Sequence, residues 1–100
     1  MNEIERILIV DDERSLREFL EIFFKKEGFD VVIARGGEEA IEFLNRGEEF
    51  DMVLTDLMMP QVDGIAVLNE FKLRSPDTQV LMMTAYATAD TAIEAMKKGA

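Results

Sequence analysis

The chain of 100 residues contains no cysteine and no histidine. The first absence excludes disulfides, thiol nucleophiles and thiolate metal sites. The second removes the commonest general base and the commonest zinc ligand. Proline is scarce, with two residues, while 48% of the chain is hydrophobic, so an ordinary core is expected rather than disorder. Positive charge is also short: 11 Lys and Arg against 21 Asp and Glu leave a formal charge of −10. Gripping a nucleic-acid backbone or an anionic membrane needs the opposite sign, so neither is an expected direct partner. A cation or a basic protein surface fits better. The opening Met1-Asn2-Glu3-Ile4-Glu5-Arg6 lacks the basic-then-apolar layout of a secretory signal. No apolar run approaches the roughly 20 residues that span a bilayer. A cytoplasmic home is compatible with these features, and the length suits one compact domain.

What is present alternates between short apolar runs and longer amphipathic stretches. Arg6 to Val10, Asp30 to Ala34, Asp51 to Thr55 and Gln79 to Thr84 read as strands. From Arg14 to Glu27, the apolar residues Leu16, Phe19, Leu20 and Phe23 recur at helical spacing until Gly28. Glu38 to Arg46 reads as a short helix with acids in its first turn, where the helix dipole favours them. A loop from Leu57 to Gly64 follows, with Asp63 as N-cap of a helix from Ile65 to Arg74. Ser75-Pro76-Asp77 ends that helix. A last helix, about Thr88 to Lys98, carries Ala89, Ala92, Ile93 and Met96 on one face, with Gly99 as its cap. Ser15-Leu-Arg-Glu18 has the form of a capping box, with Asp12 the other candidate at the same helix start. Strand and helix in alternation imply a parallel sheet with crossover helices.

Parallel strands bring their carboxyl ends together, and ligands in open α/β sheets bind there. The groups at that mouth are Asp11 and Asp12 after the first strand, Asp56 after the third, and Thr84 after the fourth. Like charges gathered in this way repel, which makes the cluster costly without a cation. A hard divalent ion, Mg²⁺ above all, is the natural compensation. With no histidine or cysteine nearby, Asp56 can act as an oxygen nucleophile toward an electrophilic phosphorus. Thr84 can donate a hydrogen bond to a transferred phosphoryl group.

These residues carry a resemblance that covers the whole chain. Ile-Leu-Ile-Val-Asp-Asp-Glu at 7–13, Thr-Asp-Leu-Met-Met-Pro at 55–60, Asp-Gly at 63–64 and Met-Thr-Ala-Tyr at 83–86 resemble the motifs of bacterial response-regulator receiver domains. The stretch from Thr91 to Ala100 further resembles receivers of the nitrogen-regulator type, which serve sigma-54-dependent transcription. The resemblance implies a flavodoxin-like (CheY-like) three-layer α/β/α sandwich with strand order 2-1-3-4. It implies that Asp56 accepts a phosphoryl group from a sensor histidine kinase. By the same resemblance Asp12 and Asp56 are direct Mg²⁺ ligands, Asp11 acts through a bound water, and the Met58 carbonyl completes the protein's share. Thr84 becomes the switch hydroxyl, Ala85 the small residue beside the site, and Met58 and Tyr86 residues that influence phosphoryl lifetime. Effector domains, a sigma-54-dependent ATPase and a DNA-binding unit, are expected in a longer parent.

Receivers of this kind continue into a fifth strand and helix, with a lysine after that strand. The expectation is therefore an incomplete receiver over residues 1–100, its final βα unit absent, with a fourth strand left at an unprotected edge. A second expectation follows: a scaffold that no longer switches and associates through that edge, as a homodimer or with another element. A Mg²⁺ phosphohydrolase using an aspartyl phosphate would need an acid two residues past the nucleophile, where Met58 stands.

Overall fold

The computed structural model describes residues 5–57, 59 and 62–83. Four strands, β1 (Arg6–Val10), β2 (Asp30–Ala34), β3 (Met52–Asp56) and β4 (Gln79–Met83), alternate with helices α1 (Arg14–Lys26), α2 (Gly37–Asn45) and α3 (Gly64–Arg74). All pairings are parallel, and the sheet order is β2-β1-β3-β4. The expected last helix, and with it Gly99, lies outside the described residues. So does Thr84, the expected end of the fourth strand. Among the described residues β4 is an edge strand, and its Leu81 is exposed.

Side chains along a strand point alternately to opposite faces, so β1 feeds two cores at once. Leu8 and Val10 join Ala40, Phe50, Val53, Val67, Leu68, Phe71 and Val80 beneath α2 and α3. Ile7 and Ile9 face the other way, packing with Leu54, Leu20 and Phe24 under α1. Burial on both faces explains why β1 and β3 are continuous apolar runs rather than alternating ones. The result is the three-layer α/β/α arrangement.

Helix ends follow their local chemistry. At the end of α1, Gly28 takes φ +95°, a conformation that a side chain disfavours. The Gly28 and Phe29 N–H groups then donate to the Lys25 and Phe24 carbonyls, closing a Schellman motif. The Phe29 and Phe24 rings meet edge to face at 5.3 Å across it. Gly47 closes α2 in the same way at φ +79°. Asp63 caps α3 as expected, its Oδ1 accepting from the Ala66 N–H at 2.9 Å. At the start of α1 neither expected cap is used. Glu13 occupies the N-cap without a side-chain bond, Ser15 lies inside the helix, and Glu18 pairs with Arg14 instead.

The buried side of α1 also differs from the simple apolar stripe. Leu20 and Phe24 pack inward, whereas Phe19 and Phe23 are 62% and 47% exposed. The only buried residue of the helix is Arg17.

Candidate functional site

Register builds the site. Val10 of β1 pairs with Thr55 of β3, so one step further along both strands places Asp11 beside Asp56. Asp12 follows in the β1–α1 turn. Carboxylate oxygens of Asp11, Asp12 and Asp56 all lie within 4.8 Å of one another. Two unit charges at such a separation repel by about 3 kcal/mol at an effective dielectric of ~20, less where water screens the exposed Asp12. The strands that meet here are also those at which connections leave in opposite directions, to β2 on one side and β4 on the other. That is where α/β sheets open a crevice.

The three acids sit in different surroundings. Asp11 is fully buried, Asp56 is half-buried and Asp12 is exposed. Asp11 Oδ1 accepts the Glu13 N–H at 2.8 Å, which fixes the turn into α1. Its other oxygen, Oδ2, is buried with no hydrogen-bond partner. Such an orphaned carboxylate oxygen carries a desolvation cost that an incoming cation relieves. Burial pushes the Asp11 carboxyl above its ordinary 3.8, the Glu13 backbone bond opposes the rise, and the charges of Asp56, Asp12 and Glu13 add to it. An all-oxygen donor set with one buried, unsatisfied atom fits a hard cation, and the residues present can hold a metal ion.

A stability prediction follows from the raised Asp11. Its protonated form stabilises the fold fully below about pH 3.8, and that contribution is lost as pH rises through the raised folded-state value. Asp11→Asn is therefore expected to melt above the wild type in metal-free neutral buffer. The difference should shrink toward zero as pH falls to 3.8. Thermal melts in chelator from acid to neutral pH check this. An unchanged or lowered midpoint for the variant would mean that the charge is already compensated.

The strand that carries Asp56 is held close by α3. A Cβ added to Gly64 would run into the Asp56 carbonyl oxygen and come within 2.8 Å of the Leu57 Cα. The Gly64 N–H donates to the Leu57 carbonyl at 2.9 Å, binding the helix start to the residue after Asp56. Gly37, at the start of α2, likewise faces Val62 of the same loop, with 2.6 Å from its built Cβ to Val62 Cγ1. Beside Asp12 opens a cleft of about 420 Å³ lined by Arg35, Gly36, Gly37, Glu38, Glu39 and Glu42.

Of the residues expected at the site, Asp11, Asp12 and Asp56 converge, whereas Met58 and Thr84 lie outside the described residues. Three contributors escaped the reading of the sequence. In sequence Gly64 reads as the end of the Leu57–Gly64 loop, whereas the structure sets it against the Asp56 carbonyl. Nothing local marks Gly37, which meets Val62 only through the fold. Arg17 donates from Nη1 to the Asp11 carbonyl oxygen at 2.8 Å. Its signal was a charge at 17 sharing the helical face of Leu20 and Phe24.

The sequence matches the family model described as response regulator receiver domain over residues 7–100. The transcriptional regulatory protein ZraR of Escherichia coli (strain K12) is 44% identical over 94 residues, covering 94% of this chain and 21% of that protein. The chain thus spans about a fifth of the length of that relative. A response regulator receiver domain protein (CheY-like) from Methanospirillum hungatei superposes with TM-score 0.92 at 28% identity, over 98% of this chain and 78% of that one. A response regulator from Burkholderia pseudomallei superposes with TM-score 0.87 at 28% identity, over 96% of this chain and 56% of its own. That structure carries a phosphorylated aspartic acid, a calcium ion and citrate.

Proposed function

The chain belongs to the response regulator receiver domain family, and on that premise we propose that it is a Mg²⁺-dependent phosphoacceptor whose receiving group is the Asp56 carboxylate. The observation that carries this reading is the convergence of three carboxylates within 4.8 Å, one of them buried and half-satisfied. The phosphorylated aspartate and bound calcium of the Burkholderia relative support it.

In the proposed reaction an Asp56 oxygen attacks phosphorus, forming an O–P bond as the P–N bond of a kinase phosphohistidine breaks. The imidazole leaves with the bonding pair. A bound Mg²⁺ would supply charge neutralisation between carboxylate and phosphoryl oxygens. Asp12 and Asp56 would hold it directly, Asp11 through water, and Met58 through its carbonyl. Asp11 also holds the turn that presents Asp12, by accepting the Glu13 N–H. The cleft beside Asp12 gives a donor room to approach. Thr84 would then bind the new phosphoryl group and draw the chain toward an active state. Phosphate needs to favour that state by only a few kcal/mol. The role is switching rather than turnover.

The partners proposed are a sensor histidine kinase and, in a longer parent, effector domains that control transcription, of the sigma-54-dependent type. The formal charge of −10 fits a unit that leaves DNA contact to those domains. A cytoplasmic location suits this role, and no helix among the described residues is long and apolar enough to cross a membrane.

Intact-mass measurement after incubation with Mg²⁺ and a small acyl-phosphate donor tests the reading. A single phosphoryl adduct is expected, lost in chelator and lost in Asp56→Asn. An adduct that survives Asp56→Asn would overturn the assignment. No adduct on a folded wild-type chain would leave association through the sheet edge as the working account.

A further inference from the structure

Arg17 stands where an amphipathic helix would normally bury an apolar side chain. It is 8% exposed, and its Nε has no hydrogen-bond partner. Burying a guanidinium with an unsatisfied N–H costs stability that leucine or methionine at this position would not. Among the described residues, what the arginine makes in return is a charge-assisted bond from Nη1 to the Asp11 carbonyl oxygen at 2.8 Å. The reach is natural, since helical side chains lean toward the N-terminus and Asp11 lies six residues back.

That carbonyl belongs to the peptide joining Asp11 to Asp12. The preceding peptide is held too, because the Asp11 N–H donates to the Ala34 carbonyl at 3.2 Å. With Asp11 Oδ1 occupied by the Glu13 N–H, both peptide planes around Asp11 and its side chain are tied to three separate elements: β2, α1 and the turn. The peptide plane before Asp12 sets the direction in which its Cα–Cβ bond leaves the chain. The buried positive charge, meanwhile, lies one peptide away from a cluster of three acids.

We infer that Arg17 is a positioning residue for the acidic site, holding the Asp11–Asp12 peptide so that both carboxylates face a shared divalent cation. The inference rests on the metal-site reading above. Residues that orient metal ligands from behind typically change metal affinity about 10–100-fold when replaced.

The test is Mg²⁺ titration of the full chain by isothermal calorimetry, with thermal melts in chelator to establish folding. Arg17→Met keeps length and packing but removes the donor, and is expected to bind Mg²⁺ about tenfold or more weakly. Arg17→Lys restores a cation that can reach the carbonyl and should recover affinity to within about threefold of wild type. A general structural role would lower melting without that recovery pattern in affinity. Should the Met variant not fold, Arg17→Gln, too short to reach the carbonyl, provides the same comparison. A folded Met or Gln variant that binds Mg²⁺ within about twofold of wild type overturns the inference and leaves the metal site standing. A wild-type chain that binds no Mg²⁺ overturns both.

Discussion

Gly64→Ala is expected to destabilise the chain by about 2–3 kcal/mol and to slow phosphoryl acceptance on the order of a hundredfold. The cause is not conformational, because Gly64 does not hold a positive φ. It is room: the new Cβ would meet the Asp56 carbonyl oxygen, the Leu57 Cα at 2.8 Å and the Asp56 carbonyl carbon at 3.1 Å. All three are backbone atoms, so relief requires shifting the strand end that carries Asp56, or α3 itself. The Gly64 to Leu57 hydrogen bond, at 2.9 Å, would stretch in either case. Gly36→Ala is the control. Nothing lies within 4 Å of its built Cβ and its φ of −177° suits any residue, so near-neutral behaviour is expected. Urea denaturation measures the stability of both variants, and time courses of acyl-phosphate labelling measure acceptance. A Gly64→Ala chain as stable and as reactive as wild type would show that the strand end yields freely.

Phe71→Ala is expected to cost about 3–5 kcal/mol, roughly a fifth or more of the stability of a typical domain. Phe71 is fully buried on the inner face of α3. Its ring lies 6.4 Å from that of Phe50, which in turn meets Phe43 edge to face at 6.0 Å. Those rings join α2, α3 and the approach to β3, and the Arg6 guanidinium sits over Phe50 at 4.7 Å. Removing Phe71 therefore loses transfer energy and leaves a cavity that three elements cannot close together. Leu73→Ala on the same helix offers the contrast. Leu73 is 78% exposed, and its loss should change stability by no more than ~0.5 kcal/mol. Equal effects at the two positions, read from denaturation midpoints, would mean that α3 is not docked on the sheet as described.

The patterning of the chain determined a great deal by itself. Four short apolar runs bounded by glycine, acid and proline read as strands because their lengths are too short for helices, and the first and third, apolar throughout, had to be buried on both faces. Acids at the ends of the first and third runs had to share a sheet end once the strands were parallel, and Asp11, Asp12 and Asp56 do so. Asp63 as a cap and Gly28 as a stop were also legible, since short polar side chains and positive φ act within a few residues.

Other features were decided only in three dimensions. Periodicity in α1 offers overlapping apolar stripes, because Leu16, Phe19, Leu20, Ile22, Phe23 and Phe24 crowd the helix. Which of them turns inward depends on how the helix rotates on the sheet, and docking exposed Phe19 and Phe23 while burying Arg17. The unequal burial of the three acids arose in the same way. Asp11 is roofed by packed elements and Asp12 is not, a distinction that adjacent identical residues cannot carry in sequence. The need for glycine at 64 came from a backbone approach between segments brought together only by the fold. Local chemistry names the residues and the elements; long-range packing sets their rotation, depth and spacing, and these depend on every other segment at once.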